Sequence, residues 1–201
     1  MQITLHYTPG TRAARPRWLL EELELPYELN VVDLFGGGGQ SAEYKAVHPL
    51  GQVPALEVDG EIQIESGAIC HWLADRFSDR GFAPSPGDPA RAAYEQWMFF
   101  VPGSLEPPAF YAALHSRLLP ESQRVPAIVP WCMKRYLKAV GVVGEALAGK
   151  RYLVGDKFTA ADIMVGTTLM WVPDALKSRP TLQDYVERLR QRPAYVRATQ
   201  G

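Results

Sequence analysis

Every segment of this chain that alternates like a β-strand lies before residue 65. The decapeptide GFAPSPGDPA at 81–90 then closes that region with three prolines and two glycines. That is the composition of a linker, and beyond it apolar residues recur at helical spacing between proline breaks. Strands confined to one end of a chain cannot build one sheet through its whole length. The pattern predicts a small mixed α/β layer over 1–80, a linker over 81–90, and an all-helical region over 91–201.

Within the first region, ITLHY at 3–7 alternates and is rich in β-formers, so it reads as a strand. A TPG turn follows. Trp18, Leu19, Leu20, Leu23 and Leu25 then form an apolar helical face that ends at Pro26. Pro16 would lose a hydrogen bond and clash inside a helix, so the helix either starts irregularly around 11–15 or kinks there. YELNVVDL at 27–34 reads as a second strand, which makes a right-handed βαβ unit with parallel strands. The four glycines of FGGGGQS at 35–41 read as a structural loop, since no GK[ST] follows and the flanks do not suit a dinucleotide site. VPALEV and EIQI flank Asp59-Gly60, the strongest short hairpin signal. ESGAICHWLADRF is helical, with Ile69, Leu73 and Phe77 on one face. Together these make a four-stranded mixed sheet covered by helices.

The second region offers helical windows at AAYEQWMFF, PPAFYAALHSRLL, VPWCMKRYLKAVGVVGEALAG, TAADIMVGTTLMWV and TLQDYVERLRQ. In FTAADI, Thr159 can cap the helix, Asp162 sits at the capping-box position, and Phe158 with Ile163 occupies the staple positions. That device belongs to folding rather than chemistry. No uncharged run exceeds eleven residues, so no segment can span a bilayer as a helix. The N-terminus runs straight into ITLHY, and no signal peptide is expected. Cys70 and Cys132 stand far apart in no metal-ligand spacing, which suggests a reducing, cytoplasmic setting and neither a disulfide framework nor a metal site. Residues 1–80 carry six Lys/Arg against twelve Asp/Glu, and residues 81–201 carry fifteen against ten. The basic half has dispersed arginines and no nucleic-acid motif, so a solvated helical surface or oppositely charged faces meeting between subunits explains it better than nucleic acid.

Several of these segments occur together in one known family. TPGTRAARPRWLLEEL, HPLGQVPAL and IQIESGAICHWLADRF in the first region, with WMFFVPGSLEPPAFY, FTAADI and LQDYVERLRQRPAY in the second, resemble the soluble glutathione S-transferases in order and spacing. The resemblance is to a serine/threonine-type, bacterial- or fungal-like branch. It implies a thioredoxin-like α/β N-terminal domain plus an all-α C-terminal domain, the glutathione transferase fold. It also implies glutathione as co-substrate, no metal, a small hydrophobic electrophile as second substrate, a role in detoxification, and a homodimer. Val53-Pro54 matches the segment in which a cis-proline presents the preceding backbone to the cysteinyl unit. Glu65-Ser66 matches the pair that holds the γ-glutamyl end. Lys45, His48 and Gln52 fall where donors to the glycyl carboxylate belong. From the residues alone, Glu65-Ser66 reads as a helix cap, and Lys45 and His48 as solvated loop residues.

Transfer chemistry needs the glutathione thiol as thiolate, and a free thiol titrates near ~8.5. By resemblance, the hydroxyl that meets sulfur is Thr11, followed by Arg12, with Tyr7 as the alternative donor and Gly10 beside them. A cysteine-type branch has its cysteine where this chain has Arg12, which argues against thiol-disulfide chemistry by the protein itself. Arg12 or Arg15 can add to the field at sulfur if either side chain points inward. Read without the family, Thr11 is an N-cap and Tyr7 is sheet packing. Gly10, Phe99, Phe100, Ser104, Glu106, Phe110 and Trp171 are expected to line the electrophile pocket, although aromatics at that density also build core. Two other readings stay open: a glutathione-binding carrier or interaction module with little turnover, and a glutathione-dependent isomerase or peroxidase.

Overall fold

A computed structural model describes residues 1–200. The chain forms two compact units. One comprises Met1–Ser85 together with the C-terminal residues from Arg190, and the other is Pro86–Leu189. The break at Ser85/Pro86 falls inside the proline-rich linker. The C-terminal helix differs from expectation, because it belongs with the first unit rather than with the helical one.

The first unit is a four-stranded sheet of β1 (Ile3–Tyr7), β2 (Glu28–Val31), β3 (Ala55–Val58) and β4 (Glu61–Ile64), in the order β2-β1-β3-β4. β1 and β2 run parallel, and β1–β3 and β3–β4 run antiparallel. Asp59 and Gly60 both take positive φ, 50° and 89°, as the tight hairpin turn demands. Alternation along β1 decides which helix covers which face. Tyr7 lies under the Arg17 guanidinium of α1 (Ala14–Glu22), 4.9 Å from the ring centroid. His6 points the other way, toward Tyr44 of α2 (Ala42–Val47), 5.7 Å away. α3 (Ser66–Arg76) packs beside α1 and buries Ile69, Cys70, Leu73 and Ala74.

Pro16 falls in the first turn of α1, where no intrahelical donor is lost, after two turn bonds from Ala14 N to Thr11 O and Arg15 N to Arg12 O. The irregular start, rather than a kink, is what the chain adopts. The glycine loop is structural, as expected. Gly39 and Gly51 approach so closely that a Cβ on either would strike the other's carbonyl oxygen. β2 is shorter than the eight residues predicted, and α2 was not predicted at all.

The second unit holds α4 (Arg91–Phe100), α5 (Glu106–Ala113), α6 (Val129–Ala146), α7 (Ala160–Met170) and α8 (Pro180–Arg190), the last residue of α8 already counting with the first unit. A π-turn at Val101–Leu105, closed by Glu106 N to Val101 O, joins α4 to α5 and absorbs Pro102. α7 is buried from Ala160 through Leu169 on every face, with Asp162, Thr167 and Thr168 among mainly apolar residues, so it is the core of this unit. Gly166 lets Leu189 lie directly on its backbone. The capping box forms. Asp162 accepts from Thr159 N at 2.9 Å, Thr159 Oγ1 at 3.1 Å, Leu153 N at 3.0 Å and Tyr185 Oη at 2.9 Å.

α9 (Pro193–Thr199) closes the chain against α1 of the first unit. Arg192 makes a bidentate pair with Glu22 at 2.5 and 2.7 Å, and Arg197 bonds Glu21 at 2.7 Å. The Trp18 ring meets Tyr195 edge-on at 4.9 Å. Proline at the first helical position is the sequence signal for this helix.

Candidate functional site

Strand register gathers the candidate residues at one end of the first unit's sheet. His6 pairs with Ala55, and Ala55 pairs with Ile64. One step beyond those pairs, the C-terminal end of β1, the N-terminal end of β3 and the C-terminal end of β4 leave the sheet side by side. Thr8 to Thr11, Val53-Pro54 and Glu65-Ser66 therefore emerge together. The Val53–Pro54 peptide bond is cis. Residue 52 ahead of it is held by Tyr44, whose hydroxyl donates to Gln52 O at 2.7 Å. Burial pushes the Tyr44 phenol up to about 12, so it remains a donor at any working pH.

Glu65 is exposed and takes φ +73°, ψ +112°, a sparsely populated conformation for a residue with a side chain. Non-glycine outliers of this kind concentrate at ligand sites. Ser66 opens α3 and is buried. Its Oγ accepts from Nη1 of Arg15 at 3.1 Å. Arg15 is itself 2% exposed, so the inward arginine is Arg15, while Arg12 is half-exposed. The spacing could have separated them, because Arg15 lies three residues before the buried Trp18, on the buried face of α1.

Gly10 takes φ +73° in the exposed turn before α1. The Thr11 hydroxyl donates to Thr8 O at 2.7 Å and accepts from Ala13 N at 3.3 Å. Thr8 Oγ1 donates to Val32 O at 2.6 Å, fixing the same turn to the residue after β2. Tyr7 is buried against Arg17, which matches the sheet-packing reading of the residue.

On the opposite flank Lys45 and Gln52 are exposed. His48 is buried, and its Nδ1 accepts from Leu50 N at 3.3 Å, which leaves hydrogen on Nε2 of the neutral ring. Burial lowers the His48 pKa below the usual histidine value, against an upward pull from Glu65. His48 is thus neutral near pH 7 and holds a turn. Cys70 is fully buried beneath this end, and burial lifts its thiol to about 12, against a downward pull from Arg15. An inert thiol results.

In the second unit, Phe99 is 71% exposed while Phe100 stacks edge-on to Trp97 at 5.1 Å. Ser104 is exposed on the π-turn, Glu106 is buried, and Phe110 meets Tyr111 at 6.1 Å. Trp171 borders a groove of about 310 Å³ with Ala109, Ala113, Met133 and Arg117. No cluster of His, Cys, Asp and Glu able to hold a metal occurs among the described residues.

Residues 11–76 match the family model for the glutathione S-transferase N-terminal domain, and residues 108–193 match that for the glutathione S-transferase C-terminal domain. Glutathione S-transferase 3 of Schizosaccharomyces pombe is 33% identical over 174 residues, covering 80% of this chain and 70% of the relative. The chain belongs to the glutathione S-transferase family. The disulfide-bond oxidoreductase YfcG of Escherichia coli is 29% identical over 209 residues, covering 96% of this chain and 92% of that one. The crystal structure of glutathione transferase URE2P6 from Phanerochaete chrysosporium, in complex with oxidized glutathione, superposes with a TM-score of 0.86. It is 27% identical and covers 98% of this chain and 94% of that chain. The thioredoxin-like and all-α architecture expected from the sequence is the fold of these transferases.

Proposed function

We propose that this protein is a glutathione transferase that binds glutathione along the sheet end described above and delivers its thiolate to a small, partly apolar electrophile. The observation that carries the reading is the Arg15–Ser66–Glu65 cluster beside Val53-Pro54, in a chain of this family. Ser66 and the first N–H groups of α3 suit the γ-glutamyl carboxylate, and Glu65 suits its ammonium. The Val53 backbone suits the cysteinyl unit, as an added strand would pair. Lys45 and Gln52, both exposed, suit the glycyl carboxylate. Thr11, at the entrance to α1, is the donor to sulfur. Its hydrogen leaves Thr8 O to meet the thiolate, exchanging a neutral acceptor for a charged one. The thiolate then attacks the electrophilic carbon, a carbon–sulfur bond forms, and the leaving group departs with its electron pair.

Retention on immobilised glutathione, followed by turnover with an activated aryl halide, tests the reading. Retention with turnover supports a transferase, whereas retention without turnover across several electrophiles supports a binding module. A second reading rests on the relationship to YfcG: glutathione thiolate attacks a disulfide substrate, a mixed disulfide forms, and the other thiolate leaves. Both cysteines of this chain are buried, so the protein itself contributes no accessible thiol to that exchange. Faster turnover of a mixed disulfide than of any aryl halide or epoxide would favour it.

A further inference from the structure

α5 does not stop at Ala113. It runs on as a π-helical stretch, Leu114–Leu118, and the chain then turns through Arg124 and Val125 before α6 begins at Val129. Arg124 anchors that turn. Its Nε donates to Leu119 O at 2.7 Å and its Nη2 to Arg117 O at 3.1 Å, which closes the helix end. A guanidinium carries five N–H groups in one plane, one on Nε and two on each terminal nitrogen. The backbone thus engages one edge of the fork, and the outer edge keeps a hydrogen on each terminal nitrogen. Among the described residues no carboxylate pairs with it. His115 is fixed in the same turn. Its Nδ1 accepts from Val125 N at 3.2 Å, so the neutral ring carries its hydrogen on Nε2, and no acceptor among the described residues takes that hydrogen.

Both side chains line one cavity of about 640 Å³, a volume within the range of small-molecule sites. Pro126, Val129 and Pro130 give it apolar walls. The Ser116 hydroxyl, also in the wall, donates to Ala113 O at 3.3 Å, so it is not poised as a nucleophile. The cavity suits holding a ligand rather than transforming one. Directed donors above apolar walls fit a carboxylate carried on an apolar body. The outer edge of a guanidinium meets both oxygens of that group at once, and a neutral carboxamide would turn an N–H toward a donor. Glu121 also lines the cavity, but its carboxylate is exposed, so water screens its repulsion of a single negative charge.

We propose that this cavity is a second binding site, for a small monocarboxylic acid with an apolar chain or ring, held by Arg124 and His115. The site is independent of the glutathione reading, since every residue in it belongs to the second unit.

Calorimetry at pH 7, without glutathione, compares two probes: 4-phenylbutyrate and its neutral counterpart 4-phenylbutanamide. Wild-type protein is expected to prefer the acid by about tenfold to a hundredfold, the range spanned by one hydrogen bond to a charged group. Arg124→Gln is expected to bind the acid no better than the amide. Arg124→Lys, which keeps the charge without the fork, is expected to retain part of the preference. His115→Asn keeps an acceptor for Val125 N and removes the Nε2 donor. It is expected to weaken the acid by about tenfold with little change for the amide, and it decides the matter should Arg124→Gln fail to fold. Wild type that binds acid and amide alike, or binds neither, overturns the proposal. Acid binding that survives both Arg124→Gln and His115→Asn overturns it too, because the acid then sits elsewhere on the molecule. Each of these failures leaves the glutathione reading untouched.

Discussion

The Thr11 hydroxyl does not wait empty-handed, and that changes the magnitude expected of it. Its present bond to Thr8 O is a neutral one, worth about 1 kcal/mol net, while a bond to thiolate is worth roughly 1.5–3 kcal/mol. Only the difference acts on the thiol, about 0.5–2 kcal/mol, or up to about 1.5 pKa units at ~1.4 kcal/mol per unit. Thr11→Val should raise the bound thiol's pKa by about 0.4–1.4 units on that arithmetic, with little change in glutathione affinity, and Thr11→Ser should recover it. Thiolate absorbance followed through a pH titration checks this, and an unmoved pKa rejects Thr11 as donor. His48 makes a second prediction at this scale. Burial lowers the folded pKa of both His48 and His6, so below the unfolded value of 6.5 the unfolded chain binds more protons. Stability therefore falls as pH drops through 6.5 toward the folded values, and it is unaffected by these groups above 6.5. His48→Gln should flatten part of that slope in urea midpoints taken between pH 7.5 and 5.5; a slope equal to wild type would show that His48 does not titrate as its burial requires. Candidate site residues on the backbone track of the sheet, Val53, Pro54 and Ser66, were legible as motifs because register carries them. The choice between Arg12 and Arg15 stayed open, because the irregular helix start hid the spacing from Arg15 to the buried Trp18 that separates them.

Among elements, legibility followed length and local chemistry. β1, the Asp59-Gly60 turn and β4 match their predicted bounds, while β3 starts two residues later than expected, at Ala55, after the cis-proline. α2 escaped notice since six residues make under two turns, and only Tyr44 among them is buried. β2 was over-read because its four residues are all exposed, so no buried face marks where pairing stops. The FTAADI box was fully legible, and the structure adds what spacing alone does not give. Asp162 is a hub that also receives Leu153 N and Tyr185 Oη. Burial raises the Asp162 pKa, and the donors around it pull the other way. Asp162→Ala strands several buried donors at once, so it should destabilise the protein by about 3 kcal/mol or more, while Tyr185→Phe, which removes one donor, should cost about 1 kcal/mol. Denaturant midpoints measure both. A loss under about 1 kcal/mol for Asp162→Ala would mean the cluster is not the cap its geometry describes. Neither change should alter the bound thiol's pKa, which separates this hub from the chemistry.

For the whole molecule, the charge division is the feature that local structure does not use. Net charge is −1, yet residues 1–80 hold −6 and residues 81–201 hold +5. Self-repulsion between copies is small at that net charge, and opposite-signed regions can attract one another if each copy turns its acidic part to the other's basic part. Each region also exposes large apolar side chains, Ile62 on the edge strand β4 and Phe99 on α4 among them. We therefore expect a homodimer, with a mass by light scattering of twice 22.4 kDa at micromolar concentration. The electrostatic share has its own signature. Raising salt from 0.1 M to 1 M shortens the screening length from ~10 Å to ~3 Å, so the dimer's dissociation constant should rise with salt while its apolar contacts persist. A mass of 22.4 kDa at every concentration would remove the dimer. A dimer whose affinity ignores salt would keep the assembly but assign its stability to apolar burial, leaving the charge division as a property of each copy's solvated surface.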